Sequence, residues 1–396
     1  MMQHSGLLER LPDRSGLERI WNILPDARLV GGSVRDLLAG ATVHDLDLAT
    51  PEPPEDVLRH LEDAGIRVIP TGLSHGTVTA VLDGVPYEIT TLRRDEETDG
   101  RHAVVAWTQD WAEDAARRDF TINAMSLDRH DGLHDYFGGR EDLANRHVRF
   151  AGEASRRIEE DALRALRFFR FDARYGNGHP DEAACEAVSK QLELIRTLSA
   201  ERIASELLRI LAGPRLMETI TAMSRVGLLQ AVLPSPDTAF LLRLMNCDAP
   251  CDPLLRLFAL CRGRSSELAG RLKLSNADGA KIEAWASDSP ALHPDASDDD
   301  LRRLRVLQPL DCLMERSWFE QARRVGAPDP DWDSFRARLQ TMPQSEFPLS
   351  GKDAIAQGVQ PGPGMGAWLK TGRDWWMAQG CMPDRAACLA YLAAHR

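Results

Sequence analysis

Two aspartates stand one residue apart in the run DLDLAT, at positions 45 and 47, and a glycine pair, Gly31-Gly32, precedes them within fifteen residues in VGGSVRD. Side chains alternate faces along a strand, so Asp45 and Asp47 would share one face while Leu46 and Leu48 turn toward a core. Two like charges side by side repel. A divalent cation is the commonest reason to keep them: a carboxylate pair can hold Mg²⁺, position substrate phosphates and activate a hydroxyl nucleophile. Upstream, Gly31 and Gly32 let the backbone approach a phosphate closely, and Ser33 reads as the N-cap of a short helix whose free amides attract an anion. Arg35, one turn in, offers a guanidinium for bidentate phosphate contact. Each half is also compatible with an ordinary turn and a solvated strand face. Only the combination is specific.

A second group lies more than a hundred residues later in EEDALRALRFFRF, residues 159–171. Asp161, Arg164, Arg167 and Arg170 recur every three residues, which on one helix places them within about half its circumference. Leu163, Leu166 and Phe169 supply an adjacent apolar stripe. Such a helix packs on one side and offers an acid and three cations on the other; a solvated face laced by i, i+3 ion pairs has the same pattern.

The elements that must position these groups change character along the chain. From about residue 27 to 150, short β-branched or apolar runs alternate with turn signals: ARLV, DLDLAT, IRVIP and TVTAVLDGVPYEITTL. In the last, two strand-like runs flank Asp83-Gly84, which favours a tight hairpin. From Ile158 onward apolar residues recur every three or four positions, with breaks at Gly213-Pro214, 293–300 and 325–333. The fold class expected is an α+β head, with a mixed or antiparallel sheet and helices, followed by an all-α remainder.

At 396 residues the chain exceeds one hydrophobic core, and 43% hydrophobic with 27% charged residues is globular. There is no apolar run long enough to span a bilayer, so no membrane association is expected. The charge-interrupted N-terminus lacks the core of a secretory signal, and the seven cysteines form no CxxC pairs, which suits buried, reduced thiols in a cytoplasmic protein. A net charge of -12 argues against a protein that coats nucleic acid non-specifically. Residues 153–215 nevertheless hold ten arginines and a lysine against eleven acids, leaving room for a local basic track.

GGSVRD followed by DLDLAT resembles the signature of the polymerase-beta-type nucleotidyltransferase superfamily. With RRDFTINAM (117–125), EEDALRALRFFRF and ERIASELLRIL (201–211) in the same order, the chain resembles the class II tRNA nucleotidyltransferases, or CCA-adding enzymes, and the related bacterial poly(A) polymerases. The resemblance implies template-independent addition or repair of the 3′-terminal CCA of tRNA from CTP and ATP, with Mg²⁺ held by Asp45 and Asp47. Gly32, Arg35 and Arg118 would grip the triphosphate. Asp161 and Arg164 would read the base edge: a carboxylate accepts from the exocyclic amino group that C and A share, and an arginine donates to the ring nitrogen or carbonyl. Arg167 and Arg170 match further nucleotide-binding positions, and Glu88 in YEITT fits a third superfamily carboxylate. The polar stretch 91–108 resembles the family's flexible loop and is expected to be mobile.

The same resemblance implies a catalytic head over 1–145, a helical neck over 146–212 carrying the selecting helix, a body over 213–345 and a tail over 346–396 that is a candidate for tRNA contact. Three other readings compete. A poly(A) polymerase or a partial CC- or A-adding enzyme shares these motifs. A non-catalytic RNA-binding relative would have lost the carboxylates, which this chain keeps. A small-molecule nucleotidyltransferase would need neither the 161–170 segment nor the long helical remainder.

Overall fold

The computed structural model describes residues 6–395 except 12, 44, 99–102, 234, 262–264 and 288–289. Residues 1–234 and 235–396 form two compact units. The described strands are β1 (Arg28–Val30), β2 (Asp47–Thr50), β3 (Arg67–Gly72), β4 (Thr77–Leu82), β5 (Val85–Thr91), β6 (Arg93–Thr98), β7 (Ala103–Trp107), β8 (Met125–Leu127) and β9 (Leu133–Asp135). Seven form one mixed sheet in the order β3-β4-β5-β2-β1-β8-β9. All its pairings are antiparallel except β2 with β5, which sets Asp47 beside Glu88.

Helices α1 (Ser15–Ile23), α2 (Gly32–Ala39) and α3 (Pro54–Asp63) accompany these strands. Leu17, Ile20, Val57 and Leu61 of α1 and α3 share one core with Leu29, Leu48, Val78 and Ile89 of the sheet. Tyr87 and Ile89 are buried while Glu88 between them is exposed, the period-two pattern of a strand with one covered face. The expected hairpin is present: Leu82 pairs with Val85, and Asp83 and Gly84 take φ of 51° and 85°, as a tight two-residue turn requires.

Residues 91–108 depart from expectation. Where a loop is expected, β6 and β7 pair antiparallel as a separate two-stranded ribbon, with Arg93 opposite Trp107; residues 99–102 lie outside the described residues. β6 reads RRDEET, so it has no apolar alternation by which a strand is recognised. Its main-chain pairing with the β-branched AVVAW run stands in for that signal.

After β7 the chain forms α4 (Trp111–Ala116), returns to the sheet for β8 and β9, and is then helical through α5 (Gly139–Ala144), α6 (Ala154–Glu160), α7 (Arg164–Tyr175), α8 (Glu182–Lys190), α9 (Leu192–Arg196) and α10 (Ala200–Leu211). All regular elements described in the second unit are helices. The break expected over 293–300 ends at Ser297, whose hydroxyl accepts from the Asp300 amide while the Asp300 carboxylate accepts from the Ser297 amide. Six of the seven cysteines are buried, and Cys251 is exposed. Burial pushes the Cys261 thiol up to about 12, which leaves it inert. Among the described residues no helix is long and apolar enough to cross a membrane.

Candidate active site

The glycine turn is built as the sequence suggests, with a shift in its cap. Gly31, at φ 64° and ψ −124°, is itself the N-cap of α2, a conformation that a side chain would oppose. A Cβ there would also lie 3.1 Å from Arg118 Nη1, so the bare glycine lets that guanidinium lie against the turn. Ser33, expected to be the cap, sits inside the helix and is buried. Its hydroxyl donates to the Asp45 carbonyl at 2.9 Å and accepts from the Asp47 amide at 3.1 Å. Asp45 itself precedes β2, which starts at Asp47, so the two carboxylates are not alternate residues of one strand. Ser33 instead ties the main chain of the two residues together from α2. Asp45 is exposed, Asp47 half-buried and Leu48 buried.

Arg35 is buried, and its fork is occupied. Asp36 accepts from Nε and Nη2 at 3.0 Å each, Asn123 accepts from Nη1 at 2.6 Å, and the Tyr175 ring lies 4.4 Å beneath. The Tyr175 hydroxyl donates to Asp36 at 2.6 Å. In RRDFTINAM, Arg117 and Arg118 both pair with the buried Asp114 of α4, at 2.7 and 3.0 Å. Burial works against that carboxylate, yet the two guanidiniums outweigh it and hold Asp114 below the usual range. Asp119 accepts from Asn123 at 2.9 Å and from the Nε of Arg167 at 2.9 Å. Burial opposes its charge too, and Arg167 with the Asn123 amide again prevails, so its carboxyl stays low. Phe120, packed 5.2 Å from Phe150 and 5.1 Å from Phe171, fixes this segment against α7.

The expected single helix over 161–170 is two. α6 ends at Glu160, Asp161 takes extended dihedrals of −153° and 104°, and α7 begins at Arg164. The Asp161 carboxylate accepts from the Leu163 amide at 3.1 Å, the short-range side-chain bond by which Asp competes with helix, and both its oxygens accept from Arg202 of α10 at 2.8 Å. Arg164 donates to Glu160 at 2.8 Å and to the Arg117 carbonyl at 3.0 Å.

These groups enclose a cleft of about 460 Å³ lined by Gly31, Gly32, Arg35, Asp47, Arg118, Asp161, Arg164 and Arg167, together with Arg117, Asp119, Asn123, Leu163, Phe171 and Arg202. Six arginines against three aspartates make it cationic within an acidic chain, a field that draws in a polyanion. Asp45 and Glu88 are not among its lining residues; Glu88 lies in register with Asp47 on β5, and the charges of both act on Asp47. Arg170, one turn past Arg167, does not line the cleft; it pairs with the buried Glu206 at 3.2 Å. Asp114 and Arg202 were not singled out from sequence. Asp114 had a signal in its spacing, three and four residues before the arginine pair, and Arg202 lay within the recognised ERIASELLRIL motif.

The Poly A polymerase head domain family matches residues 27–149, and the family described as the probable RNA and SrmB-binding site of polymerase A matches 179–240. The mitochondrial CCA tRNA nucleotidyltransferase 1 of Danio rerio is 35% identical over 89% of this chain and 83% of its own length; that of Homo sapiens is 34% identical over 93% and 86%. The chain belongs to the CCA-adding tRNA nucleotidyltransferase family. The crystal structure of the Bacillus stearothermophilus CCA-adding enzyme in complex with CTP superposes with a TM-score of 0.77 at 27% identity, covering 97% of this chain and 98% of that one.

For a chain of this family the carboxylates have the right chemistry for a divalent cation. Burial pushes the Asp47 carboxyl up, the charges of Glu88 and Asp45 push it further, and Arg118 only partly offsets them. A cation between these hard oxygen donors would relieve that repulsion. Among the described residues no group of three or more His, Cys, Asp or Glu side chains is gathered closely enough to hold a metal.

Proposed function

We propose that this chain adds or repairs the 3′-terminal CCA of tRNA without a nucleic-acid template, consuming CTP and ATP and releasing pyrophosphate. The observation that carries the reading is the single cleft in which Asp47, the arginine-flanked glycine turn and the Asp161–Arg164 pair meet. In the reaction, the terminal 3′-hydroxyl oxygen bonds to the α-phosphorus of the nucleotide. The bridge to the β-phosphate breaks, and the hydroxyl proton passes to solvent. The α2 amides and Arg118 bind the triphosphate, and Arg118 is held ready by Asp114. Asp45 and Asp47, with Glu88 alongside, would hold Mg²⁺, which when bound supplies Lewis acidity at the α-phosphate and offsets charge on the leaving pyrophosphate. Arg164 and Asp161 orient the base, and the tethers to Arg117 and Arg202 fix where their donors and acceptors stand.

Incubation of the purified chain with tRNA lacking CCA, Mg²⁺, CTP and ATP tests the proposal directly; no extension of the tRNA would overturn it. Products from CTP alone, ATP alone and both together separate CCA addition from poly(A) or partial activity. Arg164→Ala should raise incorporation of UTP or GTP relative to CTP by on the order of ten- to a hundredfold, the discrimination a bidentate base contact provides. Unchanged selectivity would remove Arg164 from base reading. The head, neck, body and tail division and a cytoplasmic site of action belong to the same proposal, the latter tested by cell fractionation.

A further inference from the structure

Arg35 and Phe171 form a wall that the cleft shares with a second cavity of about 520 Å³, lined also by Arg170, Arg174 and Arg209. Arg174 and Tyr175 are shared in turn with a third cavity, of about 510 Å³, that Arg140 and Arg146 enter. Three hollows therefore follow one another across the first unit, with guanidinium groups in each.

Their charges are mostly uncompensated. Arg170 and Arg209 share the single buried carboxylate of Glu206, each at 3.2 Å. Arg140, Arg146 and Arg174 are exposed and form no ion pair among the described residues. Of the neighbouring acids, Asp36 is engaged by Arg35 and Tyr175, and Asp142 by Arg149 at 2.8 Å. Arg146 moreover holds a left-handed φ of 53°, where a glycine or asparagine would sit with less strain. In a chain of net charge -12 this is a concentrated positive track. The incoming nucleotide's phosphates are already provided for at the glycine turn, so a series of cations continuing away from it suits a polyanion whose charges repeat.

We infer that Arg140, Arg146 and Arg174 bind the sugar-phosphate backbone of the RNA whose 3′ end enters the cleft. This rests on the proposed function in taking tRNA as that RNA. Backbone contacts of this kind give affinity without sequence preference and make binding steeply salt-dependent.

The test uses the full chain carrying Arg140→Gln, Arg146→Gln and Arg174→Gln together. Affinity for tRNA lacking CCA is measured by filter binding between about 50 and 200 mM salt, and affinity for CTP by calorimetry. The tRNA Kd should rise at least about tenfold, and the slope of log K against log salt should flatten by about two, from a loss of about 0.7 to 0.9 per contact. CTP affinity should not change, and the corresponding triple lysine variant should recover most of the slope, separating charge from folding. Unchanged tRNA affinity and slope in the glutamine variant would overturn the inference. So would lost CTP or pyrophosphate affinity with tRNA binding intact, which would assign the cavities to free polyphosphate. Binding is read independently of transfer, so failure of the wild-type chain to extend tRNA would count against the proposed function and not against the track.

Discussion

Asp47→Asn is expected to lower CTP incorporation into tRNA by on the order of 10³-fold, the scale on which enzymes lose rate when a group stabilising transition-state charge is removed. Of the Asp45–Asp47 pair, Asp47 is the one that lines the cleft; it lies in register with Glu88, and its main-chain N–H is bonded to Ser33 of the phosphate turn. The amide keeps the shape of the side chain and removes its charge. Because burial and the charges of Glu88 and Asp45 disfavour the ionised form in the folded protein, the variant should melt no lower than wild type at neutral pH. Single-turnover extension and a thermal melt check both halves. Retained activity would reject the assignment of Asp47, and a lowered melting temperature would show that the loss came from folding.

The largest effect on stability is expected at Asp119. Asp119→Ala leaves Arg167 without its carboxylate and frees the Asn123 amide that steadies Arg35. Removing one partner of a buried pair costs about 3 to 5 kcal/mol, and the partial exposure of Arg167 places this case near 3. Urea unfolding of the full chain measures it; a loss below about 1 kcal/mol would mean that water replaces the carboxylate without consequence. The pH dependence has a definite sign. The folded Asp119 and Asp114 carboxyls are both held below their unfolded value. Their stabilisation is therefore fully present above the unfolded value of about 3.9 and is lost as pH falls through the lower folded values. Wild type should lose stability below about pH 4, and Asp119→Ala should lose less of it over the same range.

Much of this site could be read from residue order. Leu48 buried behind Asp47 and the Asp83-Gly84 hairpin follow from local rules that tertiary context did not override. What could not be read came from interactions across the chain. Asp161 has helix-compatible spacing to Arg164, but its carboxylate is claimed by its own turn and by Arg202, forty-one residues away. The strand β6 reads RRDEET and so carries no hydrophobic period; its main-chain pairing with β7 shows it as a strand. Arg35, a natural phosphate ligand by position, has its fork turned to Asp36 because Asn123 and Tyr175 close around it. Arg170 follows Arg167 at helical spacing, yet Glu206 draws it to the neighbouring cavity.

Ser33 has a consequence for how this region can vary. Its one hydroxyl bonds to main-chain groups of both Asp45 and Asp47, so the spacing between phosphate turn and carboxylates is set at that oxygen and not by the length of chain joining α2 to β2. The connection is thereby relieved of any metric duty. Residues added or lost between Gly40 and Asp45 should pass unnoticed by the reaction, whereas the loss of a single oxygen atom fourteen residues upstream of Asp47 would let the two halves of the site drift apart.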